Sequence, residues 1–152
     1  MPFRTAGLLA ALVILTACTI QQTVKPVVGG KPESICVIED PAVREGFLDE
    51  YKRSLESLGI VVQVLPEGSA IDACDITSTY TARWSWDLTI YLSYAEINVY
   101  DTGELAGSAL YDATGGSGRT DKFIDAEPKI RELVSQLFAD GESVVVDPGQ
   151  SE

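Results

Sequence analysis

The residues of this chain that could carry chemistry are few in kind. There is no histidine among its 152 residues, so the imidazole that acts as base in serine and cysteine triads is missing. Three cysteines, Cys18, Cys36 and Cys74, offer too few donors for a metal, and no metal or cofactor is expected. Carboxylates remain, 23 of them, and two that share a proton could do acid–base work. Asp101-Thr102-Gly103 is the triplet that carries the catalytic carboxylate of aspartic proteases. That chemistry needs a second copy and apolar flanks, whereas here Glu104 follows directly, so the triplet reads as a turn. The segment Gly115-Gly116-Ser117-Gly118-Arg119-Thr120 has neither the lysine of a phosphate-binding loop nor the spacing of the dinucleotide fingerprint. It reads as a connector in which Arg119 offers one anion contact. Asp87, between Trp86 and Leu88, is the most unusual acid, and capping a bend in a sheet is its expected role. No catalytic residue is assigned.

A leader comes first among the elements that must position these residues. Residues 6–17 are apolar except for Thr16 and follow a segment with one positive charge, Arg4. About a dozen residues fall short of the roughly 20 that a membrane-spanning helix needs. A charged start, a short apolar run and a small-residue exit describe a secretory signal. The exit, Leu15-Thr16-Ala17-Cys18, resembles the lipobox of bacterial lipoproteins. The resemblance implies cleavage between Ala17 and Cys18 and acylation of Cys18, so that lipid, not a helix, anchors the chain. Residue 19 is Thr where an Asp favours inner-membrane retention, which implies the periplasmic leaflet of an outer membrane.

Without residues 1–17 the chain keeps 10 basic and 23 acidic residues, a net charge of −13. Such a surface repels nucleic acid, so no nucleic-acid partner is expected. Residues 18–33, with Gln, Pro and Gly-Gly and no sustained periodicity, read as the lipidated cysteine and a flexible tether. Residues 34–140 suit a single domain, and 141–152 a tail in which Val144 to Val146 could add a short edge strand. Once Cys18 is acylated, Cys36 and Cys74 remain. An oxidising compartment favours a disulfide between them; two buried thiols are the alternative.

Ser34 to Glu39 is a short apolar run suited to a strand covered on both faces. Asp40-Pro41 then reads as the cap and first turn of a helix whose stripe is Val43, Phe47, Tyr51, Leu55 and Leu58, ending at Gly59. Ile60 to Leu65 reads as a second strand, completing a parallel strand–helix–strand unit. Thr79 to Tyr94 alternates, with Tyr80, Ala82, Trp84, Trp86, Leu88, Ile90 and Leu92 on one parity, which means strand. Sixteen residues are too many for one ordinary strand, so a turn or bulge is expected near Ser85 to Asp87, and the apolar parity then moves to Ala95, Ile97 and Val99, another sign of a bulge. Asp101 to Gly103 leads into a hairpin partner at Leu105 to Ala113, and residues 121–139 read as a helix starting in earnest near Asp125. The implied fold is α+β. It is a two-layer sandwich, a mixed sheet of about five strands with two helices on one face, in the order β-α-β-β-β-β-α.

That architecture leaves one sheet face open. Tyr80, Trp84 and Trp86 are expected in the covered core, and Thr79, Thr81, Arg83, Thr89 and Tyr91 on the open side, which is the candidate partner face. Ser34 to Asp40 (SICVIED), Tyr80 to Asp87 (YTARWSWD), Tyr111-Asp112 and Lys122 to Ala126 (KFIDA) resemble the small proteobacterial lipoproteins of the Sbal type. This resemblance spans nearly all of residues 34–139 and implies fold and location but no activity. The expected function is a non-enzymatic, lipid-anchored domain that faces the periplasm and binds another envelope protein. A small-ligand binder or carboxylate enzyme using Asp87 and Asp112 with Arg83 or Arg119, and a peptidoglycan contact through Tyr91, are the alternatives.

Overall fold

The computed structural model describes residues 20–115 and 125–139. Ala17, Cys18, Arg119 and residues 141–152 lie outside the described residues. The described chain folds as β1 (Gln21–Lys25), β2 (Ser34–Ile38), α1 (Glu45–Ser57), β3 (Val61–Leu65), β4 (Ile76–Asp87), β5 (Thr89–Asp101), β6 (Glu104–Asp112) and α2 (Ala126–Leu137). The strands form one mixed sheet in the order β1-β6-β5-β4-β2-β3. Strand β2 is parallel to β3 and β4, and the remaining pairs are antiparallel. The α+β class and the element order agree with the sequence reading, with one strand added at the start.

That added strand corrects the expected tether. Residues 21–25 pair antiparallel with β6, from Gln21 opposite Asp112 to Lys25 opposite Ser108. Their pattern hid them, because an edge strand needs few apolar residues and only Val24 of the five is buried. Gln22 ties the strand to α2: its Nε2 donates to Glu132 Oε1 at 2.7 Å and its Oε1 accepts from Lys129 Nζ at 2.9 Å. Behind it the chain folds back so closely that a Cβ added to Gly107 would stand 2.8 Å from Val27 Cα.

Helix α1 starts one turn later than Asp40-Pro41 suggests. Asp40 Oδ1 accepts from the Ala42 amide, an Asx turn that precedes the helix, and Arg44 occupies the cap position. The far end is as expected, with Leu58 as the last cap and Gly59 at φ +81°. Phe47, Tyr51 and Leu55 of α1 and Ile130, Leu133, Val134 and Leu137 of α2 are buried against the same sheet face. There Phe47 stacks on Tyr80 with ring centroids 5.2 Å apart, and the Tyr51 and Ser78 hydroxyls meet at 2.7 Å. The helices are joined by Glu50, a buried carboxylate whose Oε1 accepts from Arg131 Nη1 at 2.8 Å. Its Oε2 lies 3.0 Å from Arg53 Nη2, in ion-pair range but off the hydrogen-bond line.

Cys36 and Cys74 form a disulfide, Cα atoms 6.2 Å apart, which holds the 66–75 loop against β2. The 38-residue separation of the linked cysteines limits the unfolded chain by about 4 kcal/mol in the chain-entropy account.

Candidate functional site

The open side of the sheet is set by the alternation of β4 and by one irregularity in β5. From Ile76 to Arg83 the even residues of β4 face the helices and the odd ones, Thr77, Thr79, Thr81 and Arg83, face away. Opposite them, Tyr100, Asn98, Glu96 and Tyr94 of β5 pair in steps of two, Tyr94 with Arg83 and Glu96 with Thr81. The register then shifts, so that Trp84 pairs with Leu92 and Ser93 is the extra residue. Its hydroxyl donates to the Arg83 carbonyl at 3.1 Å, which closes the gap in the ladder.

Four of these side chains are joined in a line. The Arg83 guanidinium lies 4.7 Å from the centroid of the Tyr94 ring. Tyr94 OH donates to Glu96 Oε2 at 2.6 Å, and Asn98 Nδ2 donates to Glu96 Oε1 at 3.0 Å. The Tyr94 bond, then the Asn98 bond, holds the Glu96 carboxyl below the usual carboxylate range. The same bond, with burial second, pushes the Tyr94 phenol up. Glu96 is therefore an ionised acceptor fixed in place while still half-exposed. A cation, a tyrosine ring, a carboxylate and an amide in fixed relation can recognise hydroxyls, amides and amines. Among the described residues no group of three Cys, Asp or Glu could hold a metal ion.

The structure brings some of the expected face together and separates the rest. Thr79, Thr81 and Arg83 lie on the open side as expected, and Thr89 is exposed at the β4–β5 turn. Tyr91, opposite Ser85, is only 9 % exposed, which corrects its reading as the exposed aromatic. Tyr94 and Tyr100 take that part, both half-exposed. Trp84 packs edge-on to Phe47 at 6.4 Å and under the Arg44 guanidinium at 5.3 Å, but Trp86 is 75 % exposed. Its parity was right, but the hairpin has run past the helix that would have covered it. Asp87 and Asp112 do not meet. Asp87 pairs with Thr89 next to the turn, while Asp112 pairs with Tyr94 and caps its own loop by accepting from the Thr114 amide at 2.9 Å. Asp101-Thr102-Gly103 is a hairpin turn with Thr102 and Gly103 at positive φ. The move of the apolar parity to Ala95, Ile97 and Val99 already turns Glu96 and Asn98 outward, but nothing in the sequence joins them to Tyr94 and Arg83 as one line.

No family model matches this chain, and no curated protein matches it. Solved structures do. Two crystal forms of the PelC dodecamer from Paraburkholderia phytofirmans share its fold. One is a leucine-to-methionine variant with TM-score 0.51, covering 81% of this chain and 98% of that one. The other has TM-score 0.52 and covers 80% and 99%; both are 17% identical in sequence. A minor lipoprotein from Acinetobacter baumannii aligns at TM-score 0.40 and 15% identity, over 70% of this chain and 91% of that one. At these identities the likeness to PelC concerns the fold alone.

Proposed function

We propose that this chain is a non-enzymatic, lipid-anchored protein of the cell envelope, on the periplasmic leaflet of the outer membrane, that binds another envelope protein through the open face of its sheet. The observation that carries the binding reading is the Arg83–Tyr94–Glu96–Asn98 line, which holds a cation, a ring, a carboxylate and an amide in fixed relation at the surface of the sheet. The lipobox at Leu15 to Cys18 supports the anchor, and among the described residues no helix is long and apolar enough to cross a membrane. The PelC structures that share the fold are dodecamers, which supports including a second copy of the chain among the proteins to be looked for.

Affinity purification from detergent-solubilised, crosslinked membranes tests the reading. The wild-type chain should bring down a defined protein that is reduced several-fold with Arg83→Ala or Glu96→Gln. Recovery of the wild-type chain alone after crosslinking would contradict it. Cys18→Ala should abolish palmitate labelling and release the chain from the membrane fraction, and retention of either would remove the anchor.

A further inference from the structure

The β4–β5 hairpin ends in three exposed apolar side chains that the fold does not use. Trp86, Leu88 and Ile90 are 75 %, 86 % and 54 % exposed. Trp86 and Ile90 are cross-strand partners, and Leu88 stands alone at the apex between the paired Asp87 and Thr89. Leu88 has φ +65°, a left-handed conformation that Gly or Asn adopts at less cost. A large apolar residue kept in that conformation at the outermost point of a hairpin has its use outside the fold.

The position of the tip relative to the start of the chain says what it meets. Gln21 pairs with Asp112, Asp112 with Tyr94 and Tyr94 with Arg83, so these four residues form one row across the sheet. Strand β1 begins at this end of the sheet and β4 leaves from it, since β1, β6, β5 and β4 run alternately down and up. Cys18 is three residues before Gln21, and Trp86 is three residues after Arg83. At about 3.3 Å per residue Trp86 lies about 10 Å past the row, and three residues limit Cys18 to about 10 Å from Gln21. The lipid-bearing cysteine and the apolar tip thus belong to one end of the molecule. The locked strand β1 leaves no long tether to turn that end away.

We propose that the Trp86–Leu88–Ile90 tip inserts into the interface of the bilayer that holds the Cys18 lipid. The tryptophan ring sits at headgroup depth, where an apolar body and a single N–H donor are both satisfied, and Leu88 and Ile90 reach the upper acyl chains. With a charge of −13 once residues 1–17 are removed, the insertion is driven by apolar contact and suits zwitterionic lipid. This inference rests on the anchor reading above, and the experiment separates the two.

The full chain, expressed with its leader and purified from membranes, is reconstituted into phosphatidylcholine vesicles with or without acyl-brominated lipid. Trp84→Phe leaves Trp86 as the single tryptophan. Mass spectrometry of the N-terminal peptide first reads the acyl group on Cys18. An acylated chain whose Trp86 emission is blue-shifted and lost on brominated lipid supports the proposal. That loss should be absent in Trp86→Phe, which keeps Trp84, and reduced in Leu88→Asp, whose exposed position spares the core. An acylated chain with water-like Trp86 emission and no quenching overturns the tip while leaving the anchor intact. An unacylated chain overturns both.

Discussion

At the residue scale, the side chain with the most distinctive environment is Glu96, and its state is set by two donors that reach it from the same strand. Its folded carboxyl lies below the ordinary 4.5, so it adds stability above that value, and this is lost as the pH falls through the folded value. Glu132 behaves alike: burial alone would raise it, but the bonds from Lys129 and Gln22 outweigh burial. Melting temperature should therefore be flat near neutrality and fall once the pH drops below about 4.5. In Tyr94→Phe, which removes the larger cause, the Glu96 carboxyl followed by NMR should titrate closer to its ordinary value. An unchanged midpoint would mean that Tyr94 does not hold it. Sequence alone could not single out this carboxylate among 23, because the parity of Ala95, Ile97 and Val99 turns Glu96 outward without showing that Tyr94 and Asn98 donate to it. Thr79, Thr81 and Arg83 were legible since they precede the extra residue Ser93.

At the element scale, the strands and helices with strong periodicity announce themselves and the others do not. The stripe of α1, the turn at Asp101 to Gly103 and the cysteine pair were all readable, each from a local rule with one dominant cause. Strand β1 was not, because its stability comes from backbone pairing to β6 and from Gln22, Lys129 and Glu132 rather than from apolar residues. Two elements yield clear expectations. Gly107→Ala would drive a methyl into the Val27 backbone, which has no flexible end to yield, and should cost about 1–3 kcal/mol in urea unfolding. Tyr51→Phe leaves the buried Ser78 hydroxyl only its long donation to the Thr79 carbonyl at 3.5 Å, a further loss of about 1–3 kcal/mol by the same measurement. Reduction of Cys36–Cys74 should remove about 2–5 kcal/mol, with the 66–75 loop released first, which hydrogen exchange would show. A reduced protein as stable as the oxidised one would deny the disulfide any structural weight.

At the scale of the whole molecule, the two helices take one face of the sheet, and the row Gln21–Asp112–Tyr94–Arg83 stands at the end where β1 begins. With β1 pinned, the proposed anchor at Cys18 would fix the orientation of the domain as well as its distance from the membrane. On that proposal the open face would stand beside the bilayer, accessible to a neighbour in the envelope. The central claim is that this face does the binding, and site-specific photo-crosslinking in intact cells tests it most directly. A photoreactive residue replacing Thr81, beside Glu96 on the open face, is compared with one replacing Asp49 on the exposed side of α1. The account predicts a discrete crosslinked adduct from position 81 and none from position 49. An adduct from position 49 alone, or silence from position 81 in cells where the anchored chain is abundant, would contradict it.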